Sequence, residues 1–155
     1  MKKWSIDPSL FAKNRKNLSD KLMPDSIAII NSNDLLPTNA DGTFPFVQNT
    51  DLFYLTGINQ EETILLLYPD SPDEKMKSIL FVTETNPQIE VWHGKKYSKE
   101  EASKISGIDT VYWVNDFNNI LDKLALQVDN IYINLHEHPR AAIEIQNRDY
   151  RMLKY

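Results

Sequence analysis

Apolar positions along this chain fall into two periods, and the switches between them mark out the elements. Near the N-terminus Phe11, Leu18 and Leu22 recur at intervals of seven and four, one stripe of a helix, while Lys13, Arg15, Lys16 and Asp20 fall mostly off it. Asp7 suits the N-cap of that helix and Pro8 its first turn, where a missing N–H costs nothing. Pro24 ends it, and "SIAIIN" at 26–31 reads as a buried strand. "TILLLY" at 63–68 is short and continuously apolar, the pattern of a central strand covered on both faces. "SILFVT" at 78–83 and "IEVW" at 89–92 follow through connections too short for a crossover helix, which predicts an antiparallel meander of these three strands.

The pattern then alternates between helix and strand. Ser98 stands three residues before Glu101, a capping box, and Gly107 suits the C-terminal cap of the same helix. "TVYWV", a helix capped near Asn115 or Asp116 and running through Ile120, Leu121 and Leu124, and "IYINL" form a strand, helix, strand unit, which predicts parallel pairing through a right-handed crossover. Residues 141–155 read as a helix with Ile145, Met152 and Tyr155 toward its apolar side. Six strands with helices between them predict a single domain over 1–155, a three-layer α/β/α fold on a six-stranded mixed sheet.

One stretch fits neither period. "FPFVQNTDLFYLTG" at 44–57 gathers Phe44, Phe46, Phe53 and Tyr54 around the polar run from Gln48 to Asp51. A buried strand would not carry that run, and an idle loop would not carry four rings; binding loop, catalytic loop and structural plug all remain open. The loop over 33–49 before it is long for a domain of this size, and long loops tend to be functional or held by a partner.

Composition narrows the classes. A net charge of −5 argues against a nucleic-acid partner, and the basic cluster Lys13, Arg15, Lys16 and Lys21 reads as the solvated face of the first helix. With no cysteine, disulfides, zinc–thiolate sites and thiol nucleophiles all drop out. No run approaches 18 apolar residues and "MKKWSIDPSLF" lacks the apolar core of a signal peptide, so no membrane partner is expected and the cytoplasm is the expected compartment.

Candidate chemistry is sparse. "HEHP" places His136 and His138 two residues apart at a strand end, where polar corner residues are the plainer reading; a metal would need a further ligand such as His93, Asp129 or Glu144. No GxSxG, GxxxxGK or GxGxxG occurs. The acid pairs Glu61 with Glu62 and Asp73 with Glu74 lie in turn-like segments and read as solvated. In "IEVWHGKK", Trp92 reads as a lid on the core beside a glycine that frees the backbone, and His93 as a rim residue.

"FPFVQNTDLFYLTG", "ETILLLYPD", "ILFV" and "IEVWHGKKYSKEEA", in this order and spacing over roughly residues 8 to 135, resemble the N-terminal domain of aminopeptidase P in the creatinase and prolidase superfamily. The resemblance implies an α/β domain with a six-stranded mixed sheet, and behind it a larger pita-bread domain, absent from these 155 residues. There two divalent metal ions, usually manganese, held by two Asp, one His and two Glu, activate the hydroxide that releases the residue before a proline. It further implies that this chain holds no catalytic residue and no metal, that it packs on its own catalytic half, and that it supports a homo-oligomer, dimer or tetramer. It also walls the entrance for peptides with proline at position two. Trp92, matching the family's tryptophan before glycine, and His93 come near substrate, while Phe44, Phe46, Asn49, Asp51, Phe53, Tyr54 and Gly57 form a structural or interface loop. On this reading the four rings anchor the loop to the sheet, Asn49 and Asp51 bond backbone across its turns, and Gly57 lets the chain enter the central strand. Many relatives carry arginine before the "QN" where this chain has Val47, so any contact of that arginine is missing here. A prolidase N-terminal domain, a non-catalytic binding module of the same fold, as in histone-chaperone subunits, and a self-sufficient metalloenzyme centred on the histidines are the alternatives.

Overall fold

A computed structural model describes residues 6–39, 42–86, 88 and 94–134. The described elements run α1 (Pro8–Ser19), β1 (Ser26–Asn31), α2 (Thr50–Thr56), β2 (Ile64–Leu67), β3 (Ser78–Val82), α3 (Lys99–Ser106), β4 (Thr110–Trp113), α4 (Phe117–Ala125) and β5 (Asn130–Ile133). The five strands form one mixed sheet in the order β4-β3-β2-β1-β5. β2 runs antiparallel to both neighbours, while β4 on β3 and β5 on β1 are parallel.

Helices cover both faces. Leu65 and Leu67 of β2 point to a cluster shared with Leu52 and Leu55 of α2 and Ala102 of α3, against which Leu18 and Leu22 pack. Leu66, between them, joins Ile27, Ile29, Ile79 and Phe81 under Phe117, Ile120, Leu121 and Leu124 of α4. All three leucines are fully buried, which is why "TILLLY" shows no alternation: a strand covered on both faces has no polar side. The edge strands are less covered; β5 leaves Ile131 and Ile133 about half exposed.

The fold class is the expected three-layer α/β arrangement on a mixed sheet. Five strands are seen among the described residues; "IEVW" at 89–92 and the helix read at 141–155 lie outside them. Two expectations are corrected. The strands at 110–114 and 131–135 do not pair with each other, because β4 and β5 occupy opposite edges and α4 spans the sheet between them. The parallel neighbours are instead β3 with β4, joined through α3, and β1 with β5. The basic cluster is not wholly a solvated face either. Arg15 is buried, donating from Nη1 to the carbonyls of Leu55 (2.8 Å) and Ser106 (2.9 Å) and from Nη2 to Gly107 (3.3 Å). Burial lowers its pKa to about 10, so the guanidinium stays charged at neutral pH and meets the negative C-terminal ends of α2 and α3 together.

Candidate functional site

The stretch at 44–57 is a helix with a lead-in, because Asn49 stops the extended chain and caps the helix after it. Its side-chain oxygen accepts from the N–H groups of Asp51 (3.0 Å) and Leu52 (3.2 Å), and α2 then runs 7 residues to Gly57 in the left-handed region (φ 70°). The helix buries Leu52, Leu55 and Thr56 and turns its rings outward. Phe44 (56% exposed), Tyr54 (58%) and Val47 (73%) stand in solvent, Phe46 is half-buried, and Phe53 meets the edge of Phe11 with ring centroids 6.5 Å apart.

The rings are therefore not the anchors expected from the sequence. The leucines and Gln48 are. Gln48 is buried; its Nε2 donates to the carbonyls of Ile58 (3.2 Å) and Gln60 (2.8 Å), and its Oε1 accepts from the N–H of Asn49 (2.8 Å). Asn49 does bond backbone groups as expected, whereas Asp51 is exposed in the first turn of α2, where its charge faces the positive end of the helix. Gly57 ends α2 rather than opening a strand, and a Cβ there would stand 2.4 Å from the Phe11 ring.

From Gln60 the network crosses to the segment that enters α3. Gln60 Oε1 accepts from the N–H of Tyr97 (2.8 Å), and Lys96 pairs with Glu61. Glu61 thus departs from the solvated turn expected for it; its side chain is 15% exposed and that of Lys96 is 16%. Gln60 Nε2 is buried without a hydrogen-bond partner, at a cost of about 1–3 kcal/mol, so the amide is held where it serves Tyr97 rather than itself. Ser98 and Glu101 then close the expected capping box, at 3.1 Å in both directions. Gln60, Glu61, Lys96 and Tyr97, with Glu101, Lys104 and Ile105, line a cleft of about 380 Å³.

Two other hollows flank the sheet. An apolar groove of about 400 Å³ lies between α1, α2 and the β1–β5 edge, with Leu18, Leu22, Leu55 and Tyr132 on its walls and Asp51 and Tyr54 at its lip. A polar one of about 640 Å³ gathers Asn31, Asp34, Glu62 and Asn118. Among the described residues no group of three or more His, Cys, Asp or Glu side chains could hold a metal ion. The remaining acid pair, Asp73 with Glu74, caps a single turn and pairs with Lys77. Trp92, His93, His136, His138 and Glu144 lie outside the described residues.

The family of aminopeptidase P N-terminal domains matches residues 11–132, from the first buried ring of α1 into β5, and so takes in the whole network above. The chain belongs to that family. The Xaa-Pro aminopeptidase of Escherichia coli is 28% identical to this domain over 137 residues, 88% of this chain and 31% of that protein. Among solved structures, a putative aminopeptidase P from Bacillus anthracis superposes with a TM-score of 0.80 at 28% identity, covering 96% of this chain and 35% of its own. Zinc-substituted E. coli aminopeptidase P in complex with product gives 0.75 at 25%, covering 97% and 35%. The chain spans about a third of the length of these relatives.

Of the residues singled out from sequence, Asn49, Asp51, Phe53, Tyr54 and Gly57 come together on α2 and its ends, with Phe44 and Phe46 on the strap leading in. Three that matter structurally were given no such role, Arg15 having been read as part of a solvated face. Gln48 and Gln60 carry no sequence signal beyond being polar near apolar runs. Arg15 does carry one: it sits between Phe11 and Leu18 at spacings of four and three, on the apolar stripe itself.

Proposed function

We propose that this chain is the non-catalytic N-terminal domain of a two-metal Xaa-Pro aminopeptidase, which removes the N-terminal residue preceding proline from peptides. The observation that carries the reading is the family match over residues 11–132, with relatives that are themselves Xaa-Pro aminopeptidases. The metal chemistry falls to the downstream half, with manganese as the native ion, and among the described residues no group of three or more His, Cys, Asp or Glu side chains could hold an ion. Divalent ions bound there would supply a hydroxide for the hydrolysis, and this domain supplies the walls.

Trp92 and His93 stand at the substrate entrance, and the outward rings Phe44 and Tyr54, with Phe46, Phe53 and Val47, face the downstream half or a partner subunit of a dimer or tetramer. Rings exposed on an otherwise ordinary surface favour a contact of this kind. The protein works in the cytoplasm.

The test joins the chain to its downstream half. The joined protein is expected to hydrolyse Xaa-Pro peptides, to stop on chelation and to recover with manganese, while the 155 residues alone bind no metal stoichiometrically and cleave nothing. Hydrolysis by the isolated chain overturns the proposal, and so does a joined protein that binds peptides without cleaving them.

A further inference from the structure

The cleft between the turn at 59–61 and the entry of α3 holds donors that the fold leaves unused. We propose that it is a binding site for a carboxylate on a short apolar stem, such as the carboxyl terminus of a peptide, with Gln60 Nε2 and the Lys104 ammonium as its two donors. The proposal is independent of the peptidase function proposed above.

Gln60 is 4% exposed, and its amide cannot turn to relieve itself. Oε1 accepts from the Tyr97 N–H (2.8 Å), so a flipped amide would set N–H against N–H. Nε2 therefore stays a buried donor with no acceptor among the described residues, in the wall of a cleft of about 380 Å³. Such a donor favours any acceptor that reaches it, because its hydration was already lost on folding. Charge in the cleft points the same way. Lys95, Lys96 and Lys104 line it against Glu61 and Glu101, a cationic excess in a chain of net charge −5. Lys96 pairs with Glu61 and Lys95 with Glu101 (3.0 Å), while Lys104, exposed on α3, makes no ion pair or hydrogen bond among the described residues. One ammonium and one amide N–H suit the two oxygens of a carboxylate. Ile105, half-buried in the same wall, and the lysine methylenes give an apolar stem a surface to lie on. Those lysine side chains rotate without moving backbone, so an entering carboxylate reaches an amide that water does not cover.

The experiment titrates the isotope-labelled chain with N-acetylleucine, N-acetylleucinamide and isocaproate. It follows the side-chain NH2 resonances of Gln60, assigned by their loss in Gln60→Glu. Both carboxylates are expected to shift them saturably with a Kd of about 1 mM, and the neutral amide to bind at least about 10-fold more weakly. Tighter binding of N-acetylleucine assigns the site to peptide termini, and tighter binding of isocaproate assigns it to simple acids. Gln60→Glu keeps the acceptor for Tyr97 and removes the donor, and is expected to abolish the shifts of the Tyr97 and Ile105 N–H resonances. Lys104→Gln changes only an exposed side chain and is expected to weaken N-acetylleucine about 3- to 10-fold. If Gln60→Glu fails to fold, Lys104→Gln decides. The absence of a saturable shift overturns the proposal, as does an amide that binds as well as the acid, or unchanged binding in Lys104→Gln. Inorganic phosphate that binds as tightly as N-acetylleucine also overturns it, because the cleft would then read charge alone.

Discussion

Two helices of this domain end in the same three-residue device, and they differ in what stands over the glycine. In Thr56-Gly57-Ile58 and again in Ser106-Gly107-Ile108, a hydroxyl donates to the carbonyl four residues back (2.8 Å in both) and accepts from the N–H two residues on (3.1 and 3.2 Å). The glycine takes a left-handed φ of 70° or 66°, and the isoleucine is buried. Arg15 donates to carbonyls at both ends. At Gly57, however, a Cβ would meet the Phe11 ring at 2.4 Å, while at Gly107 it would meet Pro8 Cβ at 3.2 Å. The same local chemistry therefore caps both helices, but at α2 the glycine also makes room for close packing on α1, and α2 carries the loop proposed above to face a partner.

Breaking the shared element should cost most. Arg15→Met leaves three carbonyls without their donor and is expected to lose about 3–5 kcal/mol in urea unfolding. Arg15→Lys should recover part of it, since one ammonium cannot copy the fork. The glycines test the difference directly: Gly57→Ala should cost about 2–4 kcal/mol and Gly107→Ala about 1, with Phe11→Leu softening the first and leaving the second untouched. Equal losses would show that backbone strain, and not the Phe11 contact, sets the requirement at Gly57. Next come the hydroxyls, Thr56→Val and Ser106→Ala, at about 1–2 kcal/mol each by thermal melting, adding independently only if Arg15 does not couple them.

The helix starts should matter less. Asn49→Ala and Ser98→Ala remove comparable caps at about 1 kcal/mol each, readable as faster amide exchange in the first turns of α2 and α3. At α1 the N–H of Ser9 holds the Asp7 carboxylate below its ordinary 3.8. A depressed folded value means that its contribution is present above pH 3.8 and fades as pH falls below it, visible as early fraying of α1 on acid titration. The smallest effect on stability falls on Asp51→Ala, about 0.5 kcal/mol or less, because the carboxylate is exposed. Its loss should show in size-exclusion chromatography of the joined protein instead, as a weakened oligomer. A large drop in Tm would return Asp51 to the fold.

Much of this was legible in one dimension. Asp7 with Pro8, Ser98 with Glu101 and Gly107 are caps whose partners lie within a few residues, so their geometry is local and the sequence predicts it. The continuous leucines of β2 could only be a strand closed on both faces. The Thr50–Thr56 helix was harder to see: at seven residues it offers less than two full turns of periodicity, and its four neighbouring rings suggest burial that Leu52 and Leu55 in fact provide. Pairing at the sheet edges was misread for a related reason. A strand, helix, strand pattern specifies parallel direction, which β4 and β5 obey, but not how many strands the helix crosses.

The amino-acid sequence by itself determined the elements, their caps, the two-sided central strand and, through the order of its motifs, the family. Only the tertiary structure decided the destinations of polar side chains that reach far along the chain: Arg15 to carbonyls 40, 91 and 92 residues away, Gln60 to an N–H 37 residues away, Glu61 to an ammonium 35 residues away. Apolar groups announce themselves by period because any apolar neighbour will satisfy them. A buried hydrogen-bonding group needs one partner at one distance and angle, and that partner exists only once the helices and strands have packed.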